Sequence, residues 1–508
     1  MENLQTRYQN LLNRCEGITR IRSFFQSRYF PFVVALTMIV SDFFALELIC
    51  YTLVALLGIV TLLTDPDTKP LLCIVLLYQM GMSYPNGLSY NKYPDRPNIY
   101  DRQEVVVYFG ILIAALALAA ILNGILFRQY KRFFSKSRFL LPSLIPLSIA
   151  YLTGGIGSSG YTFDNLLFSL SNAAMILGIF IYFSDTAFLT GDPLKEISAL
   201  LLAVAFTIVS EVIFIYFDNR IIRDGIIYKF DIRNGWGIHN NFAGLLCICV
   251  PFLSYAAIKE SSRNTRLIYA FGLLYACAGI LLTLSRNGIL LMAILLTGAF
   301  IVLIKSAHPR KPLVFDVLLT SLALIVLLVA LFCDEIQKLL TVLLESGFGL
   351  NGREELYRQG IGHFLSNPIF GVGWFKCNPD TSSIPPNSFA PAFKYHNIAV
   401  QLLASCGIVG LFGWLFFFVY ATDQTFKNRT ACAKVCYLGI LALLLGSIFD
   451  NFFFDYTFER FLALFLTGIA VSSPPVKVPN REQSRKKSKE EQTTAYGKSV
   501  CYKAQDIV

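Results

Sequence analysis

The sequence predicts an all-α, polytopic membrane protein, and three observations carry that reading. Of its 508 residues, 55% are hydrophobic and only 15% are charged, with a mean hydropathy of +0.57. A water-soluble chain of this length carries more charge to cover its surface. Apolar stretches recur from Tyr29 to Val471, each near the roughly 20 residues a helix needs to cross about 30 Å of hydrocarbon. Finally, Lys and Arg gather in the short segments between those stretches. Closed membrane barrels are excluded, because their strands alternate in much shorter segments.

The apolar runs fall at 29–41, 43–63, 70–84, 104–127, 139–153, 165–183, 197–217, 242–258, 267–284, 288–304, 312–333, 396–420, 433–449 and 455–471. They predict about 12–14 transmembrane helices. Only Ser41 and Asp42 separate the first two. Four regions follow. Residues 1–28 are polar and basic, with no short apolar core or cleavage site of a signal peptide, and are expected to be a cytoplasmic N-terminus. Residues 29–234 carry the N-terminal helices, and 235–471 a core with one large loop at 334–395. Residues 472–508 form a basic tail, expected to be disordered near anionic lipid.

The net charge of +10 invites a nucleic-acid partner, but its distribution is that of a topology signal. No nucleic acid is expected; membrane lipids are. The segment 128–138 holds Arg128, Lys131, Arg132, Lys136 and Arg138, which places it inside the cell. Counted by helix parity, the basic segments 259–266, 305–311, 427–434 and the tail fall on the same side. Segments 154–164, 218–241, 285–287 and 334–395 fall on the opposite, outer side. Twelve cysteines are scattered without a CxxC pair, which reads as buried apolar usage rather than a zinc or disulfide framework. Cys333 and Cys377 share the large loop, either as two free thiols or as one disulfide.

That loop is about 60 residues long, a length that is usually functional or disordered. Within it, 354–365 reads as a short amphipathic helix and 367–374 as a turn rich in Gly and Pro. Three outer-face features carry chemistry. The first is Leu284-Ser285-Arg286-Asn287-Gly288, where an Arg at a helix end either anchors at the interface or lines a polar cavity. The second is Asn351-Gly352-Arg353-Glu354-Glu355-Leu356-Tyr357-Arg358, by itself compatible with a solvated helix start. The turn Asn367-Pro368-Ile369-Phe370-Gly371-Val372-Gly373-Trp374 follows, its glycines open either to an anion or to plain tight turning. The third is Tyr395-His396-Asn397, where the loop re-enters the membrane. His396 is one of four His in the chain, and an imidazole takes a proton from a hydroxyl near neutral pH where Lys or Arg does not. His239, in Gly235-Trp236-Gly237-Ile238-His239-Asn240-Asn241, is a similar but weaker case. No group with metal-ligand spacing stands out, so no metal or cofactor is expected.

Two signatures within 235–471 resemble the superfamily of O-antigen ligases and O-antigen polymerases, bacterial membrane glycosyltransferases. An Arg followed after three residues by Leu stands at Arg286-Asn287-Gly288-Ile289-Leu290. A His-Asn followed after nine residues by a GxxT-like element stands at His396-Asn397 and Gly407-Ile408-Val409-Gly410, with Gly410 in place of Thr. The resemblance implies a GT-C-like helical fold in the bacterial cell membrane with an extracytoplasmic active site. It also implies a glycan donor on undecaprenyl diphosphate and a glycan or lipid-anchored acceptor. Arg286 and a loop Arg, Arg353 in preference to Arg358, would grip the diphosphate, and His396 would activate the acceptor hydroxyl. Ser285, His239, Asn240, Trp374 and Asn397 are expected to bind substrate. The rival reading is a polysaccharide or lipid transporter or flippase, which would use buried ionisable groups such as Glu211, Asp450, Asp455, Glu459 and Arg460. Transporters often carry internal repeats, and none is visible here.

Overall fold

In the computed structural model, every predicted apolar run within the described residues lies on a helix. The described residues are 2–44, 46–77, 103–127, 129, 132–217, 222–223, 226–227, 232–234, 237–306, 337, 353–375, 395–450, 452–454 and 456–473. The predicted run at 312–333, Cys333, Cys377, Asp455, most of the loop beyond Phe375 and the tail lie outside them. In chain order the helices are α1 (Glu2–Arg14), α2 (Glu16–Phe25), α3 (Phe30–Phe44), α4 (Glu47–Thr64), α5 (Lys69–Leu77), α6 (Gln103–Leu126), α7 (Leu141–Thr153) and α8 (Phe163–Thr186). They continue with α9 (Pro193–Phe217), α10 (His239–Lys259), α11 (Arg263–Leu282), α12 (Arg286–Ser306), α13 (Arg353–Ser366), α14 (Ile398–Asn428), α15 (Ala431–Phe449) and α16 (Tyr456–Val471). Ahead of α10, two antiparallel pairs of two-residue strands join Ile222–Arg223 to Ile226–Ile227 and Arg233–Asn234 to Gly237–Ile238.

Among the described residues, six helices are long and apolar enough to cross a membrane: α8, α9, α10, α11, α14 and α15. A seventh span arises if α2 and Phe30–Ser41, bent by 77°, count as one. Shorter apolar helices lie within α4, α6, α7 and α12. Within the described residues, predicted runs and helices differ mainly at their ends, where apolar sequence runs on past the helix. The run at 139–153, for instance, begins in a 3₁₀ turn, Ser137–Phe139.

The centre of the bundle is α10, whose apolar window is 89% buried. A helix apolar all round is stable only when enclosed, and α10 packs against α9, α11, α12 and α15. One end of α10 is marked by Asn240 and the other by Glu260, which follows its last turn. At the Glu260 end, Arg28 reaches Glu260 at 3.1 Å and Glu196 at 3.7 Å, and Lys69 reaches Glu196 at 3.0 Å. Buried Asp185 there accepts hydrogen bonds from the Lys136 amide at 2.7 Å and the Ser137 hydroxyl at 2.6 Å. Charge at this depth survives because each group is paired or hydrogen-bonded. Arg460 donates to the Val75 carbonyl of α5 at 3.4 Å.

The most informative local feature is a break in α14. Gly407 leaves helical geometry (φ 63°, ψ −157°), and the 367–374 turn is built into the gap. In an unbroken helix the amides of Ile408 and Val409 would donate to Ala404 and Ser405. Instead they donate to Pro368 O at 2.9 Å and Ile369 O at 3.2 Å, while Ala404 O and Ser405 O accept from the amides of Val372 at 2.8 Å and Gly373 at 3.0 Å. Each group freed by the break is satisfied by the inserted segment, as a low-dielectric setting demands. A Cβ at Gly371 would collide with the backbone of Ala404, Ser405 and Cys406, and Gly371 also has φ +66°. This decides between the two readings of the turn. Its amides are used by Asn367 O, Ala404 O, Ser405 O and, for Trp374, Asn165 Oδ1 at 2.6 Å, so the turn is a packing wedge and not an anion cradle.

Replacing Gly371 with Ala is expected to cost about 3 kcal/mol or more, combining strained backbone with a backbone clash. Gly362→Ala in α13, where a Cβ meets nothing within 4 Å, should be neutral or stabilise by about 0.5–1 kcal/mol. Thermal unfolding in detergent checks both; equal melting temperatures for Gly371→Ala and the parent would contradict the wedge.

Candidate functional site

Four helix ends meet at the Asn240 end of α10, and each brings one polar side chain. The start of α10 supplies Asn240, the turn into α12 supplies Ser285, and the residue before the start of α14 supplies His396. The end of α15 supplies Asp450. They form one hydrogen-bonded chain. The Gly288 amide donates to Ser285 Oγ at 3.2 Å, and Ser285 Oγ donates to Asn240 Oδ1 at 2.8 Å. Asn240 Nδ2 in turn donates to Asp450 Oδ2 at 3.1 Å, and His396 Nδ1 lies 3.0 Å from Asp450 Oδ1. Asn240 thus uses its oxygen towards Ser285 and its amide nitrogen towards Asp450, which sets its orientation.

A carboxylate beside Nδ1 holds the imidazole in the tautomer that keeps its proton on Nδ1. The lone pair then sits on Nε2, the nitrogen a base uses. His396 is 34% exposed at its side chain and Asp450 14%, so the carboxylate is sheltered while the imidazole stays reachable. The backbone is bent to achieve this: His396 has φ 45° and Leu284, preceding Ser285, has φ 55°. Left-handed geometry is unusual for a residue as bulky as Leu, and such strain collects at functional sites.

Arg286 opens α12 between Ser285 and Asn287, half-buried. It sits at a helix N-terminus, where the dipole also favours an anion. Arg353 opens α13, and its guanidinium donates to the Phe449 carbonyl at 2.7 Å, one residue before Asp450. Asn397 caps α14 by accepting from the Ala399 amide at 3.0 Å and the Val400 amide at 3.2 Å, and its Nδ2 donates to Ile448 O at 3.2 Å. The His-Asn pair therefore has a physical division of labour: Asn397 pins α14 to α15 while His396 turns onto Asp450. A narrow crevice of about 10 Å³ lies here, lined in part by Asn240, Ser285, Asn287, Gly288, Asp450 and Phe452. Its tightness comes from Phe452, whose ring lies so close to Gly244 and Gly446 that a Cβ at either would overlap it.

The remaining site residues expected from sequence lie elsewhere or play another part. Arg358 is 80% exposed and pairs with Glu355 at 2.6 Å, away from Asp450, so of the two loop arginines only Arg353 reaches the cluster. The Glu355 carboxyl, hydrogen-bonded by Arg358 and Gln359, is held below its ordinary pKa. Trp374, expected at the substrate, is buried in the core with Tyr151 and Phe168 at ring distances of 5.6 Å; its place in the wedge draws it inward. His239 is buried at the first turn of α10, beside Asn240 in the chain. His363 meets Tyr395 at 2.6 Å, fastening α13 to the start of α14.

Asp450 is the residue whose role the sequence reading missed, since it was grouped with the buried ions of a transporter. One signal was available: an acid directly after the last turn of an apolar helix opposes the helix dipole, and such a position needs a partner to justify it.

A search of curated proteins finds no match to this chain. A family model described as O-antigen ligase matches residues 271–415, a span that holds Arg286, Arg353, His396 and Asn397 but ends before Asp450. Residues 271–415 are thus similar to the O-antigen ligase family, which supports the superfamily resemblance read from the motifs.

Proposed function

We propose that this protein is a membrane glycosyltransferase that moves a glycan from an undecaprenyl diphosphate carrier to an acceptor hydroxyl at the outer face of the bacterial cell membrane. The carrying observation is the chain His396–Asp450–Asn240–Ser285 at the helix ends that also present Arg286 and Arg353. Basic segments at the opposite end, 259–266 and 427–434, support the outward orientation of this cluster under the positive-inside rule.

In this mechanism the acceptor hydroxyl gives its proton to His396 Nε2, and its oxygen attacks the anomeric carbon. The bond from that carbon to the diphosphate oxygen breaks, and the polyprenyl diphosphate leaves. Its charge is met by Arg286 and Arg353, whose planar forks bind phosphate oxygens in pairs and stay ionised in a dry site. Asp450 stabilises the imidazolium that forms, as the carboxylate of a catalytic triad does.

The assay is glycan transfer by purified protein from a lipid-linked donor. His396→Ala should lower turnover about 100- to 10,000-fold, the range of a positioned general base. Arg286→Ala should cost about 100-fold or more, as for a lost oxyanion-type contact. Asp450→Asn should lower kcat about 10- to 1,000-fold with little change in donor KM, the pattern of an interaction made in the transition state. Arg358→Ala should stay near the parent. Near-parent turnover in both His396→Ala and Arg286→Ala sinks the proposal, and substrate counterflow without bond formation would favour the transporter reading. EDTA should leave the rate unchanged; strong inhibition would call for a metal.

A further inference from the structure

We propose that α1 and α2 form an interfacial surface that docks on anionic phospholipid headgroups at the end of the bundle opposite Asp450. From sequence, residues 1–28 read only as a polar, basic N-terminus. In the structure they are two amphipathic helices, and each leaves part of its apolar face uncovered by the rest of the chain. On α1, Gln5 and Leu12 turn inward while Leu11 is 64% exposed; on α2, Phe25 is buried while Ile21 and Phe24 are 44% and 43% exposed.

Their depth is set by hydrogen bonds to the ends of two apolar helices. Gln5 Nε2 donates to Ile125 O at 2.7 Å, Gln9 Nε2 to Leu126 O at 3.3 Å and the Tyr8 hydroxyl to Leu63 O at 2.7 Å. Those carbonyls belong to the last turns of α4 and α6, so α1 is held at the level where apolar helix gives way to polar chain. Arg22, 3.5 Å from Asp65, and Gln26, donating to Asp67 O at 3.1 Å, fasten α2 at the same level. The 77° bend between α2 and Phe30–Ser41 turns α2 sharply away from the direction of the following helix.

The charge pattern identifies the partner. Arg7 and Arg14 stand four residues before and three after Leu11, on the same helical face, and both are exposed. Arg20 is exposed beside Ile21, paired at 2.6 Å with equally exposed Glu16. Arginines flanking exposed Leu, Ile and Phe match a bilayer interface: apolar groups enter the acyl boundary and guanidinium groups meet lipid phosphate. A zwitterionic surface would satisfy the apolar groups alone, whereas the three arginines favour an anionic one.

The test uses full-length protein in vesicles, in a Cys15→Ser background, with an environment-sensitive fluorophore on a cysteine placed at Leu11 or, on the opposite exposed side of α1, at Asn13. Brominated phosphatidylcholine in the vesicles should quench Leu11→Cys label far more strongly than Asn13→Cys label. Adding phosphatidylglycerol should deepen quenching at position 11 only. Changing Arg7, Arg14 and Arg20 to Gln should remove that dependence on phosphatidylglycerol, each arginine contributing about fivefold, the equivalent of about 1 kcal/mol. Equal quenching at both positions, or indifference to lipid charge in the parent chain, overturns the proposal. So does efficient disulfide formation between copies through Leu11→Cys at every lipid composition, which would assign the face to a second copy. Changing only the lipid in the labelled parent keeps the test decisive if the arginine variant is unstable.

Discussion

The Asp450 carboxylate is the point at which the functional end of the bundle is tied together. It receives Asn240 on one oxygen and faces His396 on the other, joining α10, α14 and α15, and through Ser285 it also reaches α12. An ionised group in such a setting is costly to shelter unless its acceptor sites are filled. Here the filling groups are an imidazole and an amide, with a hydroxyl and a guanidinium beside them, the groups that the proposed transfer would use. The same contacts that make the carboxylate tolerable also determine which tautomer the imidazole adopts.

A second constraint works through the backbone. The break at Gly407 exposes carbonyls and amides that lipid cannot satisfy, and the 367–374 turn satisfies them by entering the gap. That exchange clamps the segment after α13 to the middle of α14, while Tyr395, His363 and Asn397 clamp its start. Segment 353–375 is thereby anchored, and Arg353 is delivered to the Phe449 carbonyl beside Asp450. Rigidity in the loop and geometry at the site have one cause.

The helical architecture was legible because hydropathy in a membrane protein reports directly on the solvent. The runs at 197–217, 242–258 and 433–449 fall on helices with little shift at their ends. Span lengths were less legible, since apolar residues such as Phe139 and Leu140 continue into turns that packing, not hydropathy, decides. For the site, Arg286 and His396 stood out by residue type and placement. Arg353 was preferred to Arg358 without a strict motif to separate them, because their difference is one of direction: one aims at a helix C-terminus and the other at Glu355. The burial of Trp374 against Tyr151 and Phe168 was not legible, because it depends on a wedge whose partner, Gly407, is far along the chain. Asp450 was hidden for the same reason, as its partners come from three other helices.

The central claim is that the donor diphosphate is held between Arg286 and Arg353, with the acceptor hydroxyl presented to His396. The most direct measurement is an experimental structure of the protein with a polyprenyl diphosphate-linked glycan bound. The account predicts diphosphate oxygens against both guanidinium groups, and the anomeric carbon over the crevice with His396 Nε2 facing it. A diphosphate bound at the Glu260 end of α10, or within the bundle near Glu211 and Glu459, would contradict it.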